Sequence, residues 1–168
     1  ASHAGNYMVI VSNSFGAITS SVASLTIIST PSTHIGQWPF NSDPPDAAVA
    51  TGVTTPTIGS GSATLAGTTT TATFSAGNSQ DPAQSGNDNS GWNISDFPSS
   101  TTNNKTCGVQ FNFSTAGYQQ IMLTWRERHS STSSRYTRVQ YSTDGIDFND
   151  LNSIATTNAD VFNLEVVD

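Results

Sequence analysis

The sequence predicts an all-β chain of short antiparallel strands. Turn signals made of Gly, Asn, Asp and Pro recur about every ten residues, which is the spacing found in antiparallel sandwiches. The segments between these turns are rich in threonine and in other β-branched and aromatic residues, which favour strands. Because no segment shows helical periodicity, we predict an antiparallel β-sandwich as the main unit.

Residues 1–28 are predicted to form a hairpin. Tyr7, Val9 and Val11 fall on one face of the first strand, residues 12–16 form a turn, and the return strand begins at Ile18. A hairpin of this size is only marginally stable in water by itself. Residues 29–33, rich in Pro, Ser and Thr, are predicted to be a linker to the rest of the chain.

Residues 34–168 are predicted to form the sandwich. A short strand carries Trp38 and Phe40 and is stopped by Pro44 and Pro45. Asp144-Gly145 is a strong signal for a hairpin turn between two later strands. The other predicted elements are two threonine-rich strands within 55–77, a polar loop over 77–91, strands within 105–114, 115–130 and 134–142, and two closing segments, 147–155 and 161–168.

The chain is poor in charge. Charged residues make up 10% of the sequence, against about 25% in typical soluble domains. The net charge of −7 disfavours nonspecific binding to nucleic acid or to anionic membranes, and no apolar run approaches the ~20 residues of a membrane span. This composition is typical of secreted β-rich modules, so we expect a secreted or cell-surface protein.

The first segment resembles the last two strands of bacterial immunoglobulin-like repeats. That family combines an Asp-Ala-Gly-x-Tyr corner, a Val-x-Val-Ser-Asn strand, a Gly turn and a Ser-rich strand with an apolar end. His3 stands where the family usually carries Asp. The matching positions are Ala4-Gly5-Asn6-Tyr7, Val9 to Asn13, Gly16 and Ser20 to Ile27. The resemblance implies that residues 1–28 are part of an immunoglobulin-like repeat.

Residues 34–168 resemble a module of large secreted proteins from environmental bacteria. The segment from Gln140 to Phe148 is also similar to discoidin-like and jelly-roll carbohydrate-binding modules. The resemblance implies a jelly-roll-like β-sandwich and binding of extracellular polysaccharide. The motifs that carry it are Trp38-x-Phe40-Asn41, Asp88 to Trp92, Lys105 to Phe111, Trp125-x-x-Arg128-x-Ser130 and Arg138 to Gly145.

In such modules we expect two or three further strands after a segment like 161–168. Three explanations are open for the missing strands and for the isolated hairpin. The chain is a piece of a longer protein, its ordered part is shorter than the native protein, or neighbouring copies complete one another by adding strands. The third explanation gives the alternative function: a structural or adhesive protein that assembles into filaments or matrix.

All five cations lie between Lys105 and Arg138. If the strands within 115–130 and 134–142 pair, alternation brings their polar side chains onto one sheet face. Aromatic rings beside planar donors suit sugar hydroxyls and carboxylates. The other interpretation is a solvated face whose arginines pair with aspartates. The predicted carbohydrate-binding residues are Arg126, Arg128, Tyr136, Arg138 and Gln140, with Thr124 beside them.

Trp92 lies beside the polar loop and is a further candidate to stack on a sugar. The alternative is that its ring anchors the loop to the core, next to Ile94 and Phe97. A structural calcium is a second expectation, and its candidate ligands are Asp46, Asp81 and Asp88.

Nothing in the sequence predicts catalysis. A single cysteine, Cys107, and three scattered histidines give no catalytic constellation, and Glu127 and Glu165 are the only glutamates. We therefore expect a protein that is not an enzyme and carries no cofactor apart from the calcium named above. The predicted function is noncatalytic binding of extracellular polysaccharide.

Overall fold

The structure is a computed structural model of the chain. It describes residues 3–26, 33–67, 72–81, 86–99, 102–103, 105–131, 133–134, 136–155 and 160–168. Strands paired antiparallel form all the regular secondary structure of these residues, which confirms the all-β prediction. No helix in this part of the chain is long and apolar enough to cross a membrane.

The chain divides into two compact units between Thr33 and His34. The first unit is one long hairpin whose ladder is divided into two strand pairs. Between the two pairs the Ser20 amide donates to the Val9 carbonyl at 2.9 Å. Every described residue of this unit is exposed, including Phe15 at 96% and Ile18 at 74%. The hairpin contains β1 (Gly5–Tyr7), β2 (Ile10–Asn13), β3 (Gly16–Thr19) and β4 (Ala23–Leu25), with β1 paired to β4 and β2 to β3.

The second unit contains two nested sets of strand pairs. In each set an outer pair encloses a hairpin, so β5 pairs with β8 around β6·β7, and β9 pairs with β12 around β10·β11. The strands are β5 (Gly61–Gly67), β6 (Ala72–Ala76), β7 (Ser90–Ile94), β8 (Cys107–Phe113), β9 (Leu123–Arg128), β10 (Tyr136–Tyr141), β11 (Asn149–Ala155) and β12 (Phe162–Val167).

The predicted short strand at Trp38 and Phe40 is wrong. That segment forms only an isolated bridge, Gln37 to Ile58. Pro39 has no N–H to extend the ladder, and Phe40 has a left-handed φ of 65°, which turns the chain out of the extended conformation. The Asp144-Gly145 turn, in contrast, connects β10 to β11 as predicted.

A partly buried aromatic cluster in the second unit includes two rings of the Trp38 segment. Trp38 meets Phe111 edge to face at 5.2 Å between ring centroids and Phe113 at 5.6 Å. Phe40 lies 5.5 Å from Trp92 and 6.4 Å from Phe111. The cluster therefore ties the segment before β5 to both β7 and β8.

Candidate functional site

A β-bulge shapes the polar face of the β10·β11 hairpin. Val139 pairs with Asn152, but Gln140 pairs with Asp150, so Leu151 is the extra residue on β11. Residues directly opposite in an antiparallel pair share a face, so the bulge moves Asp150 onto the face of Gln140. Without the extra residue, Asp150 would point to the other side of the hairpin.

Asp150 gathers three donors on this face. The Lys105 Nζ lies 2.8 Å from Asp150 Oδ1, and the Arg138 Nη1 donates to Oδ2 at 2.8 Å. The Gln140 Nε2 donates to Oδ1 at 3.0 Å. The hydrogen bond from Lys105, followed by those from Arg138 and Gln140, lowers the pKa of Asp150 below its usual 3.8.

Tyr136 completes the group. It precedes Arg138 by two residues on β10, so it lies on the same face. Its side chain is 65% exposed. We call the set Tyr136, Arg138, Gln140, Asp150 and Lys105 the Asp150 face. One aspartate against two cations leaves it with a formal charge of +1, and its planar donors stand beside an accessible aromatic ring.

Arg126 and Arg128 lie on a different strand pair. The predicted single patch required β9 to pair with β10, and that expectation is wrong, since β9 pairs with β12 and β10 with β11. The turn signal after β10, where Asp144 Oδ1 accepts from the amides of Ile146 and Asp147, explains the β10·β11 hairpin. It occupies only one edge of β10, so the pairing of β9 with β12 depends on how the rest of the chain folds.

The arginines of β9 form a second surface. In register, Arg128 is opposite Phe162, Arg126 opposite Leu164 and Thr124 opposite Val166. The Arg128 guanidinium lies 5.9 Å from the centroid of the Phe162 ring. We call these six residues the Arg126 face.

The other side of β9 carries a network around Glu127. Its carboxylate accepts from Trp125 Nε1 at 3.2 Å and from Thr137 Oγ1 at 3.2 Å. His129 Nε2 lies 3.3 Å from the same carboxylate, and its Nδ1 is 2.6 Å from the Ser134 carbonyl oxygen. This network joins β9 to β10 through side chains rather than through a backbone ladder. No sequence pattern predicts this network.

Trp92 lies on β7, opposite Phe74 in the β6·β7 pair, and its ring is partly buried against Phe40. It is therefore on neither the Asp150 face nor the Arg126 face. Its ring belongs to the aromatic cluster, through Phe40.

The three calcium candidates belong to one polar cluster before and after β6. Asp88 is fully buried and accepts from the amides of Ser42 and Asp46 at 3.2–3.3 Å. Asp81 accepts from Asn41 Nδ2 at 2.8 Å. Hydrogen bonds from the Ala48 amide and then from Thr51 lower the pKa of Asp46.

A cleft of about 410 Å³ lies beside this cluster, between the proline-rich segment 39–45 and residues 53–57. Among the described residues, no three or more His, Cys, Asp or Glu side chains stand together in a way that could hold a metal ion. The carboxylates of Asp46, Asp81 and Asp88 accept hydrogen bonds from protein donors. The cluster is thus a hydrogen-bonded loop anchor, and calcium binding there stays a prediction.

No protein-family model, curated protein or solved structure matches the chain. The resemblances drawn from the sequence therefore stay predictions.

Proposed function

We propose that the chain is a noncatalytic extracellular module that binds polysaccharide through the Asp150 face. The observation that supports this most is the fixed array of donors around Asp150 next to the exposed ring of Tyr136. Arginine and lysine donors held in place by a carboxylate lose less freedom when a ligand binds than free side chains would. Sugar hydroxyls accept from such donors while sugar C–H groups pack on the ring.

The finer fold that we propose for residues 34–168 is a jelly-roll-like sandwich. Its support is the nested order of the strand pairs, β5·β8 around β6·β7 and β9·β12 around β10·β11. Each set is a two-stranded ribbon folded back on itself, as in a Greek key, and a jelly roll contains two Greek keys. Side-chain contacts such as Thr137 to Glu127 then connect layers that share no ladder.

The proposal is tested by binding of the purified chain to insoluble and soluble neutral polysaccharides, namely cellulose, xylan, mannan and starch. A double variant, Tyr136→Ala/Arg138→Ala, is expected to bind the polymer that the wild type selects about tenfold more weakly, because it loses one ring contact and one charged donor. Tyr118→Ala is the matched control, since Tyr118 is 53% exposed and lies outside the face. Equal loss in both variants, or no saturable binding to any polymer, contradicts the proposal.

The affinity for polysaccharide bound through this face should fall only at acidic pH. The pKa of Asp150 is lowered in the folded chain, so its anchoring contribution is present above the usual 3.8 and is lost as the pH falls through the lowered value. We expect affinity for the neutral polymer to be constant from pH 7 to pH 4 and to fall at lower pH, measured by titration at fixed ionic strength. Asp150→Asn should remove the acid-dependent fall, whereas a wild-type affinity that already falls between pH 7 and pH 5 would contradict the assignment.

The second candidate function is a structural or adhesive role through self-assembly. The specific observation in its favour is the hairpin of residues 5–25, whose strands are exposed on both faces and carry no charged residue. Uncharged open strand edges are the usual route by which β-chains pair with one another. Light scattering separates the candidates: a mass that rises with concentration favours assembly, and a constant monomer mass favours the binding module.

A further inference from the structure

We infer that the Arg126 face is a second subsite, one that takes the carboxylates of an acidic polysaccharide. The inference rests on the proposed polysaccharide-binding function and specifies the class of polymer. It follows from the way the structure separates the arginines: Arg138 belongs to the Asp150 face, and Arg126 and Arg128 belong to another strand pair.

The Arg126 face combines cations with accessible apolar groups. Leu164 is 54% exposed and Val166 is 50% exposed, and they stand opposite Arg126 and Thr124. Arg128 lies over the Phe162 ring, which restricts the position of its guanidinium. The surface therefore offers two cations about one strand repeat apart, of which Arg128 is restricted by the Phe162 ring, with a strip of apolar side chains beside them.

The charges of these arginines are not neutralised by the protein. Among the described residues, Arg126 and Arg128 take part in no ion pair, whereas Lys105 and Arg138 share Asp150. Glu127 and Glu165, the acidic residues of the β9·β12 pair, occur at alternate positions that place them on its opposite face. In a chain of net charge −7, the described β9·β12 ladder thus presents two cations and no carboxylate on this face between its ends, which Asp160 and Asp168 flank.

A uronic-acid polymer matches both the cations and the apolar side chains of this surface. Its carboxylates accept bidentate hydrogen bonds from guanidinium groups, and the C–H faces of its rings pack on Leu164, Val166 and Phe162. The two surfaces then differ in chemistry. On the Asp150 face one carboxylate offsets one of two cations and orients the donors towards hydroxyls, whereas on the Arg126 face neither arginine is ion-paired with a described residue and both are available to carboxylates. The occupant to which we commit is a carboxylated polysaccharide.

The test compares polygalacturonate with the same polymer after its carboxyl groups have been reduced. Wild-type chain is expected to bind polygalacturonate about tenfold more tightly than the reduced polymer at low salt, with the difference shrinking as the Debye length falls. Arg126→Gln/Arg128→Gln should abolish that difference. Arg126→Lys/Arg128→Lys should keep part of it, since lysine keeps the charge but not the bidentate geometry.

The neutral polymer bound through the Asp150 face is titrated in parallel, and the thermal midpoint of each variant is recorded. If the Gln double variant loses only the preference for polygalacturonate and keeps neutral binding, the inference is supported. Equal binding of the parent and reduced polymers, with neutral binding intact, overturns the inference and leaves the proposed function standing. Poly-glutamate binding as tightly as polygalacturonate also overturns it, because the face would then select an acidic peptide. Absence of neutral binding counts against the proposed function itself.

Discussion

Replacing Asp88 by alanine is expected to lower the free energy of unfolding of the second unit by about 2 kcal/mol. Asp88 is fully buried and is the acceptor for the amides of Ser42 and Asp46. Its loss leaves those two donors without this acceptor and weakens the connection between segment 39–46 and the start of β7, where the bond from the Ser90 amide to Asn41 Oδ1 remains. Chemical denaturation of the full chain, followed by tryptophan fluorescence, measures the change.

Two variants make this prediction specific. Asp88→Asn places an amide donor towards one N–H but keeps an acceptor oxygen for the other. It should therefore lower the free energy of unfolding by less than Asp88→Ala. Asp147→Ala removes an exposed aspartate, which should leave the unfolding free energy unchanged within about 0.5 kcal/mol. A loss at Asp88 no larger than the loss at Asp147 would show that the cluster does not stabilise the loop.

The buried cluster was partly visible in the sequence. Asp46, Asp81 and Asp88 were grouped because their side chains suit a cation, and the structure does bring them into one region around Asn41. The donors that meet them are backbone amides, whose positions depend on how the proline-rich segment folds. Sequence spacing does not reveal those donors, and the structural calcium stays a prediction.

The strands themselves were predictable because their signals are local. Alternation and turn residues identify β5, β8 and β10, and Asp144-Gly145 fixes the β10·β11 hairpin. The partner of β9 was not predictable in this way. β9 pairs with β12, more than thirty residues later in the sequence, and the choice between β10 and β12 depends on how the whole ribbon folds.

The residues of the candidate site also divide into those that local signals predict and those that depend on strand pairing. Tyr136, Arg138 and Gln140 share a face because residues at alternate positions of a strand do, and this needs no tertiary information. Asp150 and Lys105 were missed. Asp150 joins the face only through the bulge at Leu151, and Lys105 comes from the segment just before β8, far from β10 in the chain. A one-residue register shift cannot be read from an alternating pattern.

Lys105 lies two residues before β8, whose close approach to β5 depends on a glycine. Gly67 has a left-handed φ of 74° and is paired with Cys107. A β-carbon there would overlap the carbonyl oxygen of Thr106, the residue next to Lys105. Gly67→Ala is therefore expected to cost about 3 kcal/mol of unfolding free energy, because an unfavourable backbone conformation and a clash with fixed backbone add together. Chemical denaturation is again the measurement.

Gly145 is the matched control for this effect. It has nearly the same φ, 76°, but nothing lies within 4 Å of the position a β-carbon would take. Gly145→Ala should therefore show only the backbone cost, about 1 kcal/mol. Because the clash displaces Thr106, Gly67→Ala should also weaken binding of the neutral polysaccharide by moving Lys105 away from Asp150, whereas Gly145→Ala should leave that affinity unchanged. Equal losses of stability in the two variants would mean that the Thr106 backbone yields easily, and that the position of Lys105 is not set by the β5·β8 pair.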